Sequence, residues 1–176
     1  MFLDPRALIL FGANALLLYL TQLVNSAAAG WPLYLFLLGP MIVLPVLYLR
    51  HQSYFICTLL TGFWVDASFN VAFGFFTTLF LLAGAVVFSV RIRFRAEHNY
   101  HPILLAHGIN FFLLLALTIA TGREHFGVAG FWLQVLVTSL CSHLALLVVA
   151  PWFFNLERQL FEVFRLETEP EDLPLL

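Results

Sequence analysis

Few side chains in this sequence could do chemistry, and their spacing limits what that chemistry could be. Asp66 is the only charged residue between Arg50 and Arg91, and a carboxylate in so apolar a run is costly unless it is paired, wetted or functional. It lies in GFWVDASFNVAFG, residues 62–74, between Gly62 and Gly74. Two readings stand for it: a cap accepting backbone hydrogen bonds in a surface turn, or a partner or ion site. The glycines read first as residues that let helices approach closely. His107 and His143 fall about 8 Å and about 12 Å from the ends of two neighbouring helices at 1.5 Å per residue. Such a pair could serve a haem or a metal. Without a second pair, the default is hydrogen-bonded packing, with Asn110, Gln134, Thr138 and Ser142 as neighbours.

Other chemistry is sparse. Glu97, His98 and His101 form EHNYH, which is neither HExxH nor HxxEH and reads as a solvated loop. No GxSxG, GxGxxG or Walker A pattern is present, so neither a nucleophile elbow nor a nucleotide cradle is expected. Lysine is absent, all eight basic residues being arginine, which removes Schiff-base and general-base lysine chemistry. Cys57 and Cys141 sit in apolar segments without metal or redox spacing and read as small core hydrophobes. No catalytic residue, cofactor ligand or metal ligand is therefore nominated, and no enzyme is expected.

The elements that must position Asp66 follow from composition. The 176 residues are 62% hydrophobic and 10% charged, against roughly a quarter charged in soluble domains, so an all-α membrane protein is expected. The net charge of −2 argues against nucleic acid. The N-terminal run imitates a signal peptide, but Ala7 to Val24 is longer than a usual apolar h-region and reads as a retained first helix. In it Asn14, Thr21 and Asn25 share one stripe that should face protein. A second helix is expected over 31–49.

Residues 51–90 as one helix would reach about 60 Å, twice the bilayer core, and must fold back. Asp66, Ser68 and Asn70 supply the only turn chemistry, giving helices near 53–66 and 71–90. A fifth runs from Pro102 to about Thr121 and a sixth from Gly127 to Ala150. With six crossings, Arg6, Arg50, Arg91, Arg93, Arg95, Arg158 and Arg165 fall on one side and Arg123 alone on the other. The positive-inside rule then puts both termini in the cytoplasm and requires the hairpin at Asp66. Trp31, Trp64 and Trp132 are expected at the outer belt, with Tyr48, Tyr54, Tyr100 and Trp152 at the inner one.

The expected organisation is a six-helix transmembrane domain over 1–151, a cytoplasmic interfacial helix over 152–166 and an acidic disordered tail over 167–176. In the interfacial helix Phe153, Leu156, Leu160, Val163 and Phe164 form an apolar stripe opposite Glu157, Arg158, Glu162 and Arg165.

PVLYLRHQSYFICTLLTGFWVDASFNVAFGFFTTLFLLAGAVVF resembles the rod shape-determining protein MreD family of bacterial inner-membrane proteins, best over residues 40–120. The resemblance is carried by a proline-containing second helix ending in a basic loop, the GxxxD of Gly62 and Asp66, a brief turn, and Gly74 before a long apolar helix. The turn ASFN lacks the glycine or proline often found there, and Trp31-Pro32 lacks a following acid. The resemblance implies a non-enzymatic multi-pass scaffold of the cell-elongation, peptidoglycan-synthesis machinery that binds MreC and other elongation-complex membrane proteins, without cofactor or small-molecule ligand. Gly62, Asp66, Asn70 and Gly74 would contribute the partner contact at the outer face. The family is also similar to the six-helix substrate-binding subunits of energy-coupling-factor vitamin transporters, which implies the alternative function. Those often carry AxxxA in the first helix, a spacing that Ala7, Ala13 and Ala15 do not achieve.

Overall fold

The computed structural model describes residues 4–31, 33–95 and 101–166, with the backbone alone at 90–95 and 101. Among the described residues there are six α-helices, one short 3-10 turn and no strand: α1 (Pro5–Ala27), α2 (Pro40–Tyr48), α3 (His51–Ser68), α4 (Phe75–Arg95), α5 (His101–Thr121), the turn Arg123–His125, and α6 (Ala129–Val163). The all-α expectation holds. Helix α1 begins where Asp4 accepts from the Arg6 N–H at 3.0 Å and Pro5 takes the first helical position, whose N–H needs no partner.

The surface is inverted relative to a soluble protein. On α6, Leu133, Leu136, Leu140, Leu144 and Leu147 are exposed, while Thr138, Ser142, Leu146 and Ala150 are buried. On α1, Leu16, Leu20 and Leu23 face out while Asn14, Thr21 and Asn25 face in, as their shared stripe required. A helix in water turns its leucines inward; one in lipid has no reason to, and buries the groups that hydrogen-bond. Three helices, Pro5–Ala27, Pro102–Thr121 and Ala129–Val163, are long and apolar enough to cross a membrane. These features mark a membrane protein.

The second helix departs from expectation. Residues 33–38 are not helical, and only Pro40–Tyr48 is. Proline explains the break: its ring collides with the carbonyl four residues earlier and it offers no N–H. Pro40 offers no N–H to the Phe36 carbonyl, which disfavours a helix through Phe36, and that carbonyl accepts instead from Asn110 Nδ2 at 2.8 Å. Pro45, inside α2, deprives Met41 in the same way, and the Met41 carbonyl accepts from Asn14 Nδ2 at 3.0 Å. Each proline is matched by an asparagine on another helix.

The remaining polar backbone of this segment is met similarly. Asn25 accepts from the Leu35 N–H and donates to its carbonyl, both at 2.8 Å. Ser142 Oγ accepts from the Phe36 N–H at 2.9 Å, and Asn110 Oδ1 from the Gly39 N–H at 3.0 Å. Side chains of α1, α5 and α6 thus clamp one non-helical strip, half-buried at 33–35 and buried at 36–38, which is tolerable at membrane depth only inside protein. Helix α2 has no charged residue and only Tyr48 carries a polar group; it packs against all five other helices, as a helix apolar all round must.

The sixth helix does not stop before Pro151 but continues to Val163 as 35 residues, about 52 Å at 1.5 Å per residue. Pro151 sits on its exposed side. The buried stripe consequently continues through Phe153, Phe154, Glu157 and Phe161. This overturns the expected amphipathic pattern: Glu157 faces the core, whereas Val163 and Phe164 are exposed. The tail at 167–176 and Tyr100 lie outside the described residues. Trp31, Trp64, Trp132 and Trp152 are exposed, as belts require, but Tyr54 is buried and stacks on Phe88 at 4.9 Å.

Candidate functional site

Asp66 occupies the last turn of α3, and its carboxylate points at the start of α4. It accepts from the backbone N–H groups of Gly74, Phe76 and Thr77 at 2.9, 2.7 and 3.2 Å, and from the Thr77 hydroxyl at 2.5 Å. The first N–H groups of any helix have no partner within it, and they carry its positive dipole end. A carboxylate from the preceding helix answers both needs at once. Asp66 is 3% exposed, and both of its oxygens accept from the start of α4. The capping reading is the one its contacts realise.

The neighbouring glycines have distinct reasons. Gly74 adopts φ +95°, in the left-handed region that L side chains avoid. A Cβ on Gly62 would lie 2.6 Å from the Thr77 Cα, so its absence lets α3 close on α4. Asn70 is exposed in the turn between the helices. Of the four residues expected to form a contact, Gly62, Asp66 and Gly74 shape the hairpin and Asn70 lies on its surface. Phe69 of the turn packs on Phe76 and Phe36, with centroids 4.9 and 6.1 Å apart, which ties the hairpin to the extended strip. Phe63 stacks on Phe73 at 5.4 Å, and both rings are exposed with Trp64 beside them in the sequence.

His107 and His143 do meet. Their Nδ1 atoms are 2.8 Å apart and the rings stack with centroids 5.1 Å apart, half-buried between α5 and α6. That separation is a hydrogen bond in which one ring donates and the other accepts. Asn110 and Ser142, expected beside them, serve the extended strip instead. Cys57 and Cys141 are free thiols. Among the described residues no three His, Cys, Asp or Glu side chains cluster to hold a metal. Glu97 and His98 lie outside the described residues.

Sequence reasoning missed Glu157. It has no exposed surface, and neither carboxylate oxygen has a hydrogen-bond partner among the described residues. Thr58 Oγ1 and Asn14 Oδ1 are likewise buried without partners. Burial pushes the Glu157 acid well above the usual carboxylate range. The signal was periodicity: Glu157 follows Leu146, Ala150 and Phe153 on one helical face once α6 is allowed to pass Pro151.

On the surface of the bundle a cavity of about 410 Å³ with a mixed polar and apolar lining opens beside the non-helical strip, bordered by Gln22, Ser26, Trp31, Tyr34 and Gln134. Taken together, the buried polar side chains mostly serve backbone groups, and among the described residues no nucleophile, base and orienting group are brought into one site. No protein-family model, curated protein or solved structure matches this chain.

Proposed function

We propose that this chain is a non-enzymatic, multi-pass scaffold of the bacterial inner membrane, similar to the rod shape-determining MreD proteins, which docks MreC within the cell-elongation machinery. The observation that carries this reading is the use made of Asp66. The one acid in the central apolar run is fully engaged in joining two helices, so the hairpin is built to present a surface rather than to bind a substrate at its carboxylate. The exposed Phe63, Trp64, Asn70 and Phe73 around that hairpin are the docking surface in this reading, and Gly62, Asp66 and Gly74 hold it in shape.

Six crossings are consistent with the lengths. Residues 33–38, at up to roughly 3.3 Å each, and the nine residues of α2 at 1.5 Å each can together reach about 33 Å, enough for a core of about 30 Å. That arrangement leaves seven arginines on one side and Arg123 on the other, so both termini are assigned to the cytoplasm. Copurification with MreC from native membranes, with loss of rod shape on depletion, is the expected result; absence of both would reject the scaffold reading.

One observation favours a second reading, the substrate-binding subunit of a vitamin transporter. Unwound backbone beside a polar cavity is how transporters commonly build substrate sites, and residues 33–38 lie next to the cavity bordered by Gln22 and Gln134. Mass spectrometry of denatured, gently purified protein separates the two: a retained vitamin would favour the transporter.

A further inference from the structure

We propose that the groove between α4 and α5 holds an anionic phospholipid, its acyl chains between the helices and its phosphate at the arginine-rich end of α4. This does not rest on the scaffold reading. The groove has a volume of about 580 Å³ and an entirely apolar lining, including Ala83, Val86 and Val87 of α4 and Leu104, Gly108 and Phe112 of α5. Helix α2 packs against both α4 and α5. Gly108 leaves open space where a side chain would stand, and Val86 and Leu104 are strongly exposed.

Charge selects the occupant. From Leu104 to Phe112 the groove runs about 12 Å. Acyl chains, roughly 4–5 Å across by the spacing of carbon contacts, fit lengthwise. Beyond Val87, α4 continues through Arg91, Arg93 and Arg95 to its end, the first about 6 Å further along the axis. No acid occurs between Asp66 and Glu97, so this end of α4 carries three positive charges with none opposing them on the same helix. A zwitterionic lipid would satisfy the groove but gain little from that charge.

The test uses the full chain in mixed micelles, with bound dioleoyl phosphatidylglycerol and dioleoyl phosphatidylcholine counted by native mass spectrometry. Wild type should retain the anionic lipid preferentially. At about fivefold per arginine, Arg93→Gln with Arg95→Gln should cut that preference by about 25-fold and leave phosphatidylcholine retention unchanged. Arg123→Gln, at the other end of the bundle, should change nothing. Gly108→Leu should fill the groove and abolish tight retention of both lipids. If that variant fails to fold, Leu104→Trp narrows the rim and should give the same loss. Equal retention of the two lipids by wild type, or an unaltered preference in the double arginine variant, would overturn the proposal. So would a photo-crosslinker at Val86 that captures a protein helix in native membranes instead of lipid.

Discussion

Replacing Glu157 by glutamine should stabilise the fold, and the gain should grow as pH rises. The native carboxyl is completely buried and unpartnered among the described residues, and its acid is raised by desolvation. In the unfolded chain a glutamate ionises near about 4.3. The folded state therefore binds more protons than the unfolded state between that value and the raised folded one. Stability is full below the unfolded value and falls with rising pH throughout the window, by about 1.4 kcal/mol per pH unit. Above the folded value the slope vanishes. Glutamine keeps the volume and the polar character but has no proton to lose, so Glu157→Gln should remove this part of the slope and little else. At pH 5 the two proteins should differ by about 1 kcal/mol or less, since each leaves a buried polar group unpaired. Higher within the window the variant should lead, and the lead should grow with pH. Reversible unfolding in detergent, followed by tryptophan fluorescence from pH 5 to 8, measures both slopes. Parallel profiles would show that Glu157 is ionised or solvated in the fold, and the argument from burial would fail.

Other substitutions probe the hairpin and the proline clamps. Asp66→Ala removes the acceptor for three N–H groups and a hydroxyl; at about 1–3 kcal/mol per orphaned buried donor, membrane abundance and detergent stability should both collapse. Asp66→Asn should retain part of each, because one amide oxygen can still accept. Asn110→Leu should cost more than Asn14→Leu in thermal stability, since Asn110 meets both the Phe36 carbonyl and the Gly39 N–H whereas Asn14 meets one carbonyl of the backbone. Equal losses would mean that the extended strip is held by packing alone. Gly62→Val should force α3 away from α4, because its Cβ meets Thr77 backbone; a cost of about 1–3 kcal/mol for overpacking, read as a lower melting temperature, is expected.

Charge counting made the hairpin legible. A lone acid in a forty-residue run, with arginines before and after, has few arrangements open to it, and Asp66 lies where the chain turns back. The strip at 33–38 was hidden because a continuous apolar run gives no period to distinguish helix from extended chain. Only the steric consequence of Pro40 for Phe36, four residues earlier, could have exposed it. Glu157 was hidden by the opposite error, in which Pro151 was given the power to end a helix that it merely passes through on the exposed face. A proline acts through the carbonyl four residues behind it, and its effect depends on whether that carbonyl can find another donor.

That dependence explains why polar residues are placed where they are. Asn14, Asn25, Asn110 and Ser142 come from three different helices, yet all converge on the one segment whose backbone prolines leave unpaired. In hydrocarbon an unpaired carbonyl or N–H costs several kcal/mol, so these side chains fix the second segment in one position and register against α1, α5 and α6. A bundle locked at its centre in this way can present its outer turns as a rigid surface. The Asp66 hairpin is then positioned from two sides, by its own carboxylate and by Phe69 resting on Phe36 of the clamped strip. If the hairpin docks a partner as proposed, loosening the clamp should weaken that docking even though Asn110 lies on another helix, and an Asn110→Leu protein that still accumulates but no longer binds would reveal that coupling.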